Sequence, residues 1–528
     1  MRKHYSPLAL LVVFTFSALS GDAHADVVIS EIFYHPESDC ETEEYIELFN
    51  RGNDVVDLSG WAFIEGVTYR FPQGTTIEPG EYLVVCRDAQ GFENTFGPLP
   101  GLLGPYQGKL SNSGEDVVLV SANGQLVDRV DYDDAFPWPA KADGLGSSLE
   151  LINPWFDNEG FEYWRASGNG EVAGPTPGRE NSQRRDALPP FVKSVQHLPR
   201  APTSSDSTTV SALVGEVGHG LSVTLEYQLV QPGRYIRLAD PQYQTEWNVV
   251  PMYDDGASPD RQAGDGLFVA VLPSNPHRSL IRYRIRAANS NGETTLAPYE
   301  SDPSPNFAYF VYDGVPPYEV FEPEHRIHTV LEKTPVYHLI AAKEDTDECQ
   351  YVPVYDMAGR RDFKWQGTFV AGGEVYDHIR FRLRGGVWRY TFNKRMWKIR
   401  FNQGHLFQGV DNDGTPFGEP RKTLNLNAVT QNRMIPNPHP GECGLFEWCG
   451  FLLFKMAGVG SPETTFVHFR VIDETDEVGK DQYTGDFYGI FLDIEQPDKR
   501  FLDTNGYSPD CNLYKMNKGW TIDGKIWE

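Results

Sequence analysis

Val27-Val28-Ile29-Ser30-Glu31-Ile32-Phe33-Tyr34, followed by Glu44-Tyr45-Ile46-Glu47-Leu48-Phe49, decides how the front of this chain folds. Both runs are short, rich in β-branched and aromatic residues, and mix apolar with polar positions. A strand places successive side chains on opposite faces, so such runs suit a sheet with one buried side. Trp61-Ala62-Phe63-Ile64, Tyr82-Leu83-Val84-Val85 and Val117-Val118-Leu119-Val120 repeat the pattern, with Gly, Pro, Asn and Asp clusters between them and no helix-length periodic segment. Strands at this spacing predict an all-β sandwich over residues 26–182. Gly52, Gly60, Gly80 and Gly114 stand where tight turns need positive φ. Trp61, just after a turn, is expected to plug the core. The acidic run Glu37, Asp39, Glu41, Glu43, Glu44 lacks fixed ligand spacing and reads as a solvated loop rather than a Ca²⁺ site.

The chain has 528 residues, enough for about three domains at roughly 100–200 residues each. Its 40% hydrophobic and 23% charged residues are ordinary for globular protein, while Gly 50, Pro 38 and 13% aromatics favour turns and strands. With 46 basic against 74 acidic residues the formal net charge is −28. Such a surface repels phosphate backbones and anionic lipid, which excludes broad nucleic-acid binding and leaves cations as partners. Met1-Arg2-Lys3, the apolar stretch 8–20 and Ala23-His24-Ala25 read as a signal peptide over residues 1–25. The expected location is extracellular, cell-surface or periplasmic, with no transmembrane span in the mature chain. Cys40, Cys86, Cys349, Cys443, Cys449 and Cys511 all follow the cleavage site. An even count in an oxidising compartment permits disulfides, Cys40 with Cys86 among them, and buried free thiols equally.

Gln183 to Pro190 is polar and ends in two prolines, as linkers do. Strand-like runs resume at Val210, at Val223-Thr224-Leu225-Glu226-Tyr227 and at Leu280-Ile281-Arg282-Tyr283-Arg284-Ile285-Arg286-Ala287, giving a second β-sandwich over 183–315. The last run alternates apolar and basic residues, the pattern of a strand with one wet face. Asp254, Asp255, Asp260 and Asp265, interleaved with glycines, could wrap Ca²⁺ with oxygen ligands; alternatively they cap the backbone of a hairpin tip. Beyond residue 316 the pattern becomes α+β. His378 to Gly386 and Trp397 to Phe401 alternate as strands. Leu445, Trp448, Leu452, Leu453 and Met456 then recur near helical spacing, as a core-facing strip would.

Ordered motifs in the first domain, VVISEIFYHP, EYIELFNRG, DLSGW, LSNSGEDVVLV, GSSLELINP and GPTPGREN, resemble the bacterial lamin-tail domains. That resemblance implies an immunoglobulin-like sandwich serving as a binding or spacing module. The second domain resembles immunoglobulin-like or fibronectin-III-like modules of secreted bacterial proteins. In 316–528, IRFRLRGGVWR, NKRMWKIRF, KTLNLN, FEWCGFLLFKMAGVGSPET and FYGIFLDIEQPDKRFL resemble the CotH kinase family. This implies the N-terminal part of a protein-kinase-like lobe that uses ATP and Mg²⁺. On that reading Lys398 or Lys394 holds phosphate, Glu447 pairs with the lysine, and Gly385 and Gly386 let backbone approach the nucleotide. Glu495, with the strand Leu513-Tyr514-Lys515, lies at an adenine-contacting hinge. Gly386-Val387 departs from the hydroxyl residues the family carries there. By their residue types alone, Lys394, Arg395, Lys398 and Arg400 are the wet face of a strand, and Glu447 is an acid near a helix N-terminus. The catalytic and metal-binding acids of such a fold are expected beyond Glu528, so the chain reads as a truncated front part, inactive as it stands. Two functions compete: an exported atypical protein kinase acting on an unknown protein substrate, and a non-catalytic adhesion or structural protein with a cell-surface or extracellular ligand.

Overall fold

The structure, a computed structural model, describes residues 26–169, 173–215, 220–316, 334–351, 363–385, 394–428, 444–478, 485–508 and 513. The signal-peptide reading, Gly386, Val387, Tyr514, Lys515, Cys443 and Cys511 lie outside the described residues.

The first domain is two five-stranded sheets packed on each other. One runs Trp164–Ala166, Leu149–Leu151, Val27–Phe33, Tyr45–Asn50, Tyr82–Cys86; the other runs Leu126–Tyr132, Glu115–Val120, Ala62–Glu65, Val67–Arg70, Gln107–Gly108. Ile32, Ile46, Leu48, Phe63, Val117 and Leu119 meet between them. The core tryptophan is Trp164, fully buried with its Nε1 donating to the Asn158 carbonyl at 2.8 Å. Trp61 corrects the sequence reading: it is only half-buried at the core's edge, because the turn that carries it ends at the sheet rim. Gly60, Gly80 and Gly114 do take positive φ (76°, 73° and 92°). Gly52 does not; it is tight instead, since a Cβ there would sit 2.8 Å from Asp26 Cγ.

Every residue of Val27–Phe33 is buried, because the outer face of its sheet is covered as well. Three glutamates on that face anchor the closing segment: Glu31 accepts from Thr176 N at 2.9 Å, Glu47 from Gly178 N at 2.6 Å, and Glu150 from Gln183 N at 2.9 Å. The acidic loop is not solvated throughout. Glu44 is buried and accepts from Tyr106 Oη at 3.0 Å and Leu110 N at 2.9 Å. Cys40 and Cys86 are not bonded to each other; both are free thiols, Cys40 exposed and Cys86 in an apolar cluster with Phe33, Tyr45 and Phe92.

In the second sandwich Phe191–Leu198, Thr208–Gly215 and Leu267–Leu272 face a sheet of Asn248–Pro251, Ser222–Val230, Leu280–Ala288 and Thr294–Ala297, with Phe307–Phe310 also pairing on Leu280–Ala288. Here the wet-face reading of Leu280–Ala288 is overturned at one position. Arg282 is fully buried, because the third region packs over that face, while Arg284 and Arg286 share Glu226 nearer the rim.

The third region is a closed barrel of seven strands, in neighbour order Val336–Ile340, Trp365–Ala371, Glu374–Leu383, Trp397–Arg400, Thr423–Asn427, Phe487–Glu495, Thr464–Ile472. All pairs are antiparallel except the closing one, Val336–Ile340 with Thr464–Ile472. Tyr337, Phe369, Phe381, Trp397, Leu426 and Phe469 fill its interior. Closure removes sheet edges, and the interior of so small a barrel is filled by side chains. A second apolar cluster joins sandwich to barrel: Val230, Tyr235, Leu280 and Phe310 pack on Ile340, Val370, Val375 and Ile472.

The helix Leu445–Met456 forms as expected, but its strip is not core. Leu445 is 46% exposed, Leu452 39% and Met456 75%, and the helix has no buried residue. The periodicity established the helix and not what covers it.

Candidate nucleotide-facing site

Trp397–Arg400 lies between Glu374–Leu383 and Thr423–Asn427, with Lys398 opposite Arg382 and Asn425. Trp397 and Ile399 point into the barrel core, so the alternation sends Lys398 to the outer face. There Lys398 Nζ donates to Gln496 Oε1 at 3.2 Å, and Asn425 Nδ2 reaches the same oxygen at 3.3 Å. Lys394 goes elsewhere: its Nζ donates to the Ile490 carbonyl and stands 4.3 Å from the centre of the Phe491 ring, which belongs to the barrel core.

Gly385 follows the last rung of the sheet, Arg384 N to Met396 O at 2.8 Å, and holds φ at 113°, a conformation that favours glycine. Glu447 is in the first turn of its helix and accepts from Asn427 Nδ2 at the end of Thr423–Asn427. The same carboxylate faces Arg384, whose guanidinium burial pushes below its ordinary pKa while Glu447 pulls it back up. Glu495 closes its strand and accepts from Glu463 N at 3.0 Å; burial raises its carboxyl. Leu513 is exposed. The structure thus gathers Arg382, Lys398, Asn425 and Gln496 on one strip, and Arg384, Asn427 and Glu447 at the helix start. Arg384, Asn427 and Gln496 escaped the sequence reading. The two asparagines of KTLNLN were visible there, but an amide carries no chemical signature until its partner is known.

The acidic loop of the second sandwich does converge. Oxygen atoms of Asp254, Asp260 and Asp265 lie within 4.8 Å of one another; Asp255 stays outside this group. Each carboxylate already accepts backbone amides. Asp254 takes Gly264 N at 2.6 Å and Gly266 N at 2.9 Å, Asp260 takes Gly256 N at 2.6 Å, Asp255 takes Ala257 N at 2.8 Å and Asp265 takes Leu267 N at 3.0 Å. The amide from Gly256 also holds the Asp260 carboxyl below its ordinary pKa. This is the pattern of aspartates shaping a turn.

Residues 20–134 match the family model Lamin Tail Domain, and residues 381–527 match the model CotH kinase protein. The chain joins a lamin tail domain to a CotH kinase region. Gly385, Lys394, Lys398, Glu447 and Glu495 all fall within the CotH match. Two strands of the barrel, Val336–Ile340 and Trp365–Ala371, precede it. No curated relative matches the chain. Among solved structures, a cycloalternan-forming enzyme from Listeria monocytogenes aligns with 11% identity and a TM-score of 0.16, over 44% of this chain and 17% of that one. Purple acid phosphatase PPD1 from yellow lupin aligns with 9% identity and a TM-score of 0.18, over 63% and 45%. The chain therefore spans less than half the length of either. Among the described residues no helix is long and apolar enough to cross a membrane.

Proposed function

We propose that the CotH kinase region is the nucleotide-facing lobe of an exported atypical protein kinase that transfers phosphate from ATP to protein, with the lamin tail domain and second sandwich as binding or localisation modules. The observation that carries this reading is the family match over 381–527, which contains all the candidate residues. Its strand and helix order supports it: three antiparallel strands, then a helix with an acid in its first turn, then two more strands. Phosphoryl transfer is mostly positioning and charge neutralisation, with Mg²⁺ on the phosphates when nucleotide is bound. Arg382 and Lys398 put positive charge on one outer strip, and that fits a phosphate chain. Gly385 lets backbone come close to it. Glu447 fixes the helix through Asn427 and Arg384.

The test is binding of an ATP analogue with Mg²⁺ to the full chain, by calorimetry. The expected result is saturable binding that Lys398→Ala weakens about tenfold, the loss of one charge-assisted contact. Absence of binding, or equal binding in Lys398→Ala and Arg382→Ala, rejects this reading. The alternative is a non-catalytic cell-surface or extracellular protein. It is favoured by one observation: Glu447 holds Asn427 and Lys398 holds Gln496, contacts a purely structural lobe would use. It predicts surface or matrix binding that survives both Lys398→Ala and Glu447→Ala.

A further inference from the structure

Beside the apolar cluster that joins sandwich to barrel lies a joint of rings and charges. In Val336–Ile340, Tyr337 and Leu339 belong to the barrel core, so the alternation turns His338 outward. On the parallel strand Thr464–Ile472 its neighbour is Arg470, with His468 two residues earlier on the same face. His338, His468 and Arg470 are all buried. The sandwich covers His338 with rings: Phe310 lies 5.1 Å from it between centres and Tyr312 4.6 Å, and His277 stacks on Tyr312 at 5.1 Å.

Neither ring nitrogen of His338 has a hydrogen-bond partner. The acids nearby are engaged by other groups. From the sandwich, Arg278 Nη2 donates to Asp486 Oδ1 at 2.6 Å and Nη1 to the Thr475 carbonyl at 2.8 Å. From the barrel, Arg470 Nη2 stands 2.9 Å from Glu477 Oε1 and 3.3 Å from Asp486 Oδ2. His277 Nε2 pairs with Glu477 Oε2 at 3.1 Å, while its Nδ1 accepts from Asp313 N at 3.0 Å. His468 lies against the Phe487 ring, and the strand on the other flank sets Val370 opposite His338. A proton on His338 would therefore create a buried cation beside Arg470, with no acceptor for its N–H groups. Burial, with Arg470 adding to it, already holds this imidazole well below its ordinary pKa.

We propose that His338 makes the joint acid-sensitive, so that acidification lifts Phe310 and Tyr312 of the sandwich from the outer face of the barrel. The sign follows from linkage. The open joint takes up the proton at the ordinary imidazole value, about 6.5, and the closed joint does not, so the closed state loses ground as pH falls through that value. Asp486 works the other way: burial raises it to about 7 against the pull of Arg278 and Arg470, so the closed joint favours its protonated form. Glu477 is lowered, by the His277 hydrogen bond and Arg470 against burial, and titrates below this window. Removing His338 alone separates its share from theirs. The proposal does not rest on the nucleotide reading, because none of these residues belongs to the Lys398 strip.

The test is hydrogen exchange of the full chain at pH 7.5 and 5.5, corrected for intrinsic rate, read at the Arg278 and Asp486 amides on the two sides of the joint. Over this span opening should rise about tenfold more in the wild type than in His338→Phe or His338→Gln, neither of which titrates there. Amides of Glu374–Leu383 should keep their protection, because the joint parts while the barrel stays closed. NMR of the wild-type imidazoles gives a second readout, in which His338 of the closed chain stays neutral down to pH 5.5; should neither variant fold, this titration decides. Equal pH dependence in the wild type and both variants overturns the proposal. So does a His338 ring that titrates near 6.5 with the joint closed, or protection lost equally in Glu374–Leu383.

Discussion

Asp377→Ala should unfold the second sandwich and the barrel together, at much lower denaturant. Asp377 is fully enclosed and accepts from Arg282 Nε at 2.7 Å, Arg282 Nη2 at 3.1 Å, Asn306 Nδ2 at 2.8 Å, His378 N at 2.8 Å and Thr368 Oγ1. Arg282 is equally enclosed; it also donates to the Ile236 carbonyl at 2.8 Å and lies under the rings of Tyr235 and Tyr243. Removing one member of a buried pair leaves the other charge stranded in low dielectric, which costs about 3–5 kcal/mol. Replacing both with apolar residues avoids that, so Asp377→Leu with Arg282→Met should cost much less than either single change. Urea unfolding followed by hydrogen exchange measures this, with amides of Leu280–Ala288 and Glu374–Leu383 read separately. Because the pair bridges two domains, both sets should lose protection at the same denaturant. The pH arm has a definite sign. Burial opposes ionisation, but Arg282 outweighs it and holds the Asp377 carboxyl well below the usual carboxylate range. Its stabilisation is therefore complete above about pH 4, the unfolded value, and is lost as pH falls below that. A cost under about 1 kcal/mol, far short of that for a broken buried pair, or protection lost in one domain only, would refute the reasoning.

Within the lamin tail domain the pH dependence runs the other way. Burial raises Glu31 to about 7, with Glu150 adding to it, Glu44 to about 7, and Asp128 to about 6. Their unfolded values are near 4, so the unfolded chain ionises first and stability should fall as pH rises from about 4 to about 7; exchange of the Val27–Phe33 amides, corrected for intrinsic rate, should show it, and protection that grows with pH across this window would contradict it. On the helix Leu445–Met456, Leu453→Gln and Met456→Gln should each change stability by no more than about 0.5 kcal/mol, since these side chains are 65% and 75% exposed. Trp397→Ala, at a fully buried position, should cost about 3–5 kcal/mol in the same urea titration, and a comparable loss from Met456→Gln would show that the helix is covered.

The two sandwiches were legible because their strands are short, bounded by turn residues and patterned with period two, which needs no knowledge of distant partners. Trp61 misled because size and turn position are local, while the choice between core and rim depends on where the facing sheet ends. Helical spacing at Leu445, Leu452 and Met456 specifies the helix but not a core strip, since the three side chains are exposed. Periodicity reports which side chains share a face; it does not report whether a neighbour arrives to cover it. Lys398 stands out as a candidate through its motif, but its amide partner Gln496 lies far along the chain and has no pattern of its own. The acidic loop shows the same limit in reverse. Its aspartates do converge, and the amides that occupy them come from backbone that every sequence has.

One polar contact by which the barrel holds the second sandwich depends on a single extra residue. In Glu374–Leu383 the pairing shifts between Ile379 opposite Gly367 and Tyr376 opposite Phe369, so two residues, Asp377 and His378, oppose one, Thr368. Such a bulge re-aims side chains, and His378 takes φ 53° to make it. Tyr376 and Ile379, three apart, both face the barrel interior. In an unbroken strand, with Ile379, Phe381 and Leu383 inside, Asp377 would point into that apolar core as an unpaired carboxylate. The bulge turns Asp377 and His378 outward instead, onto Arg282 and Asn306 of the sandwich. Arg282, one member of the basic alternation of Leu280–Ala288, is therefore half of an interface. Polar residues at every second position suit water and a complementary protein surface equally well, and the chain answers Arg282 about 95 residues later.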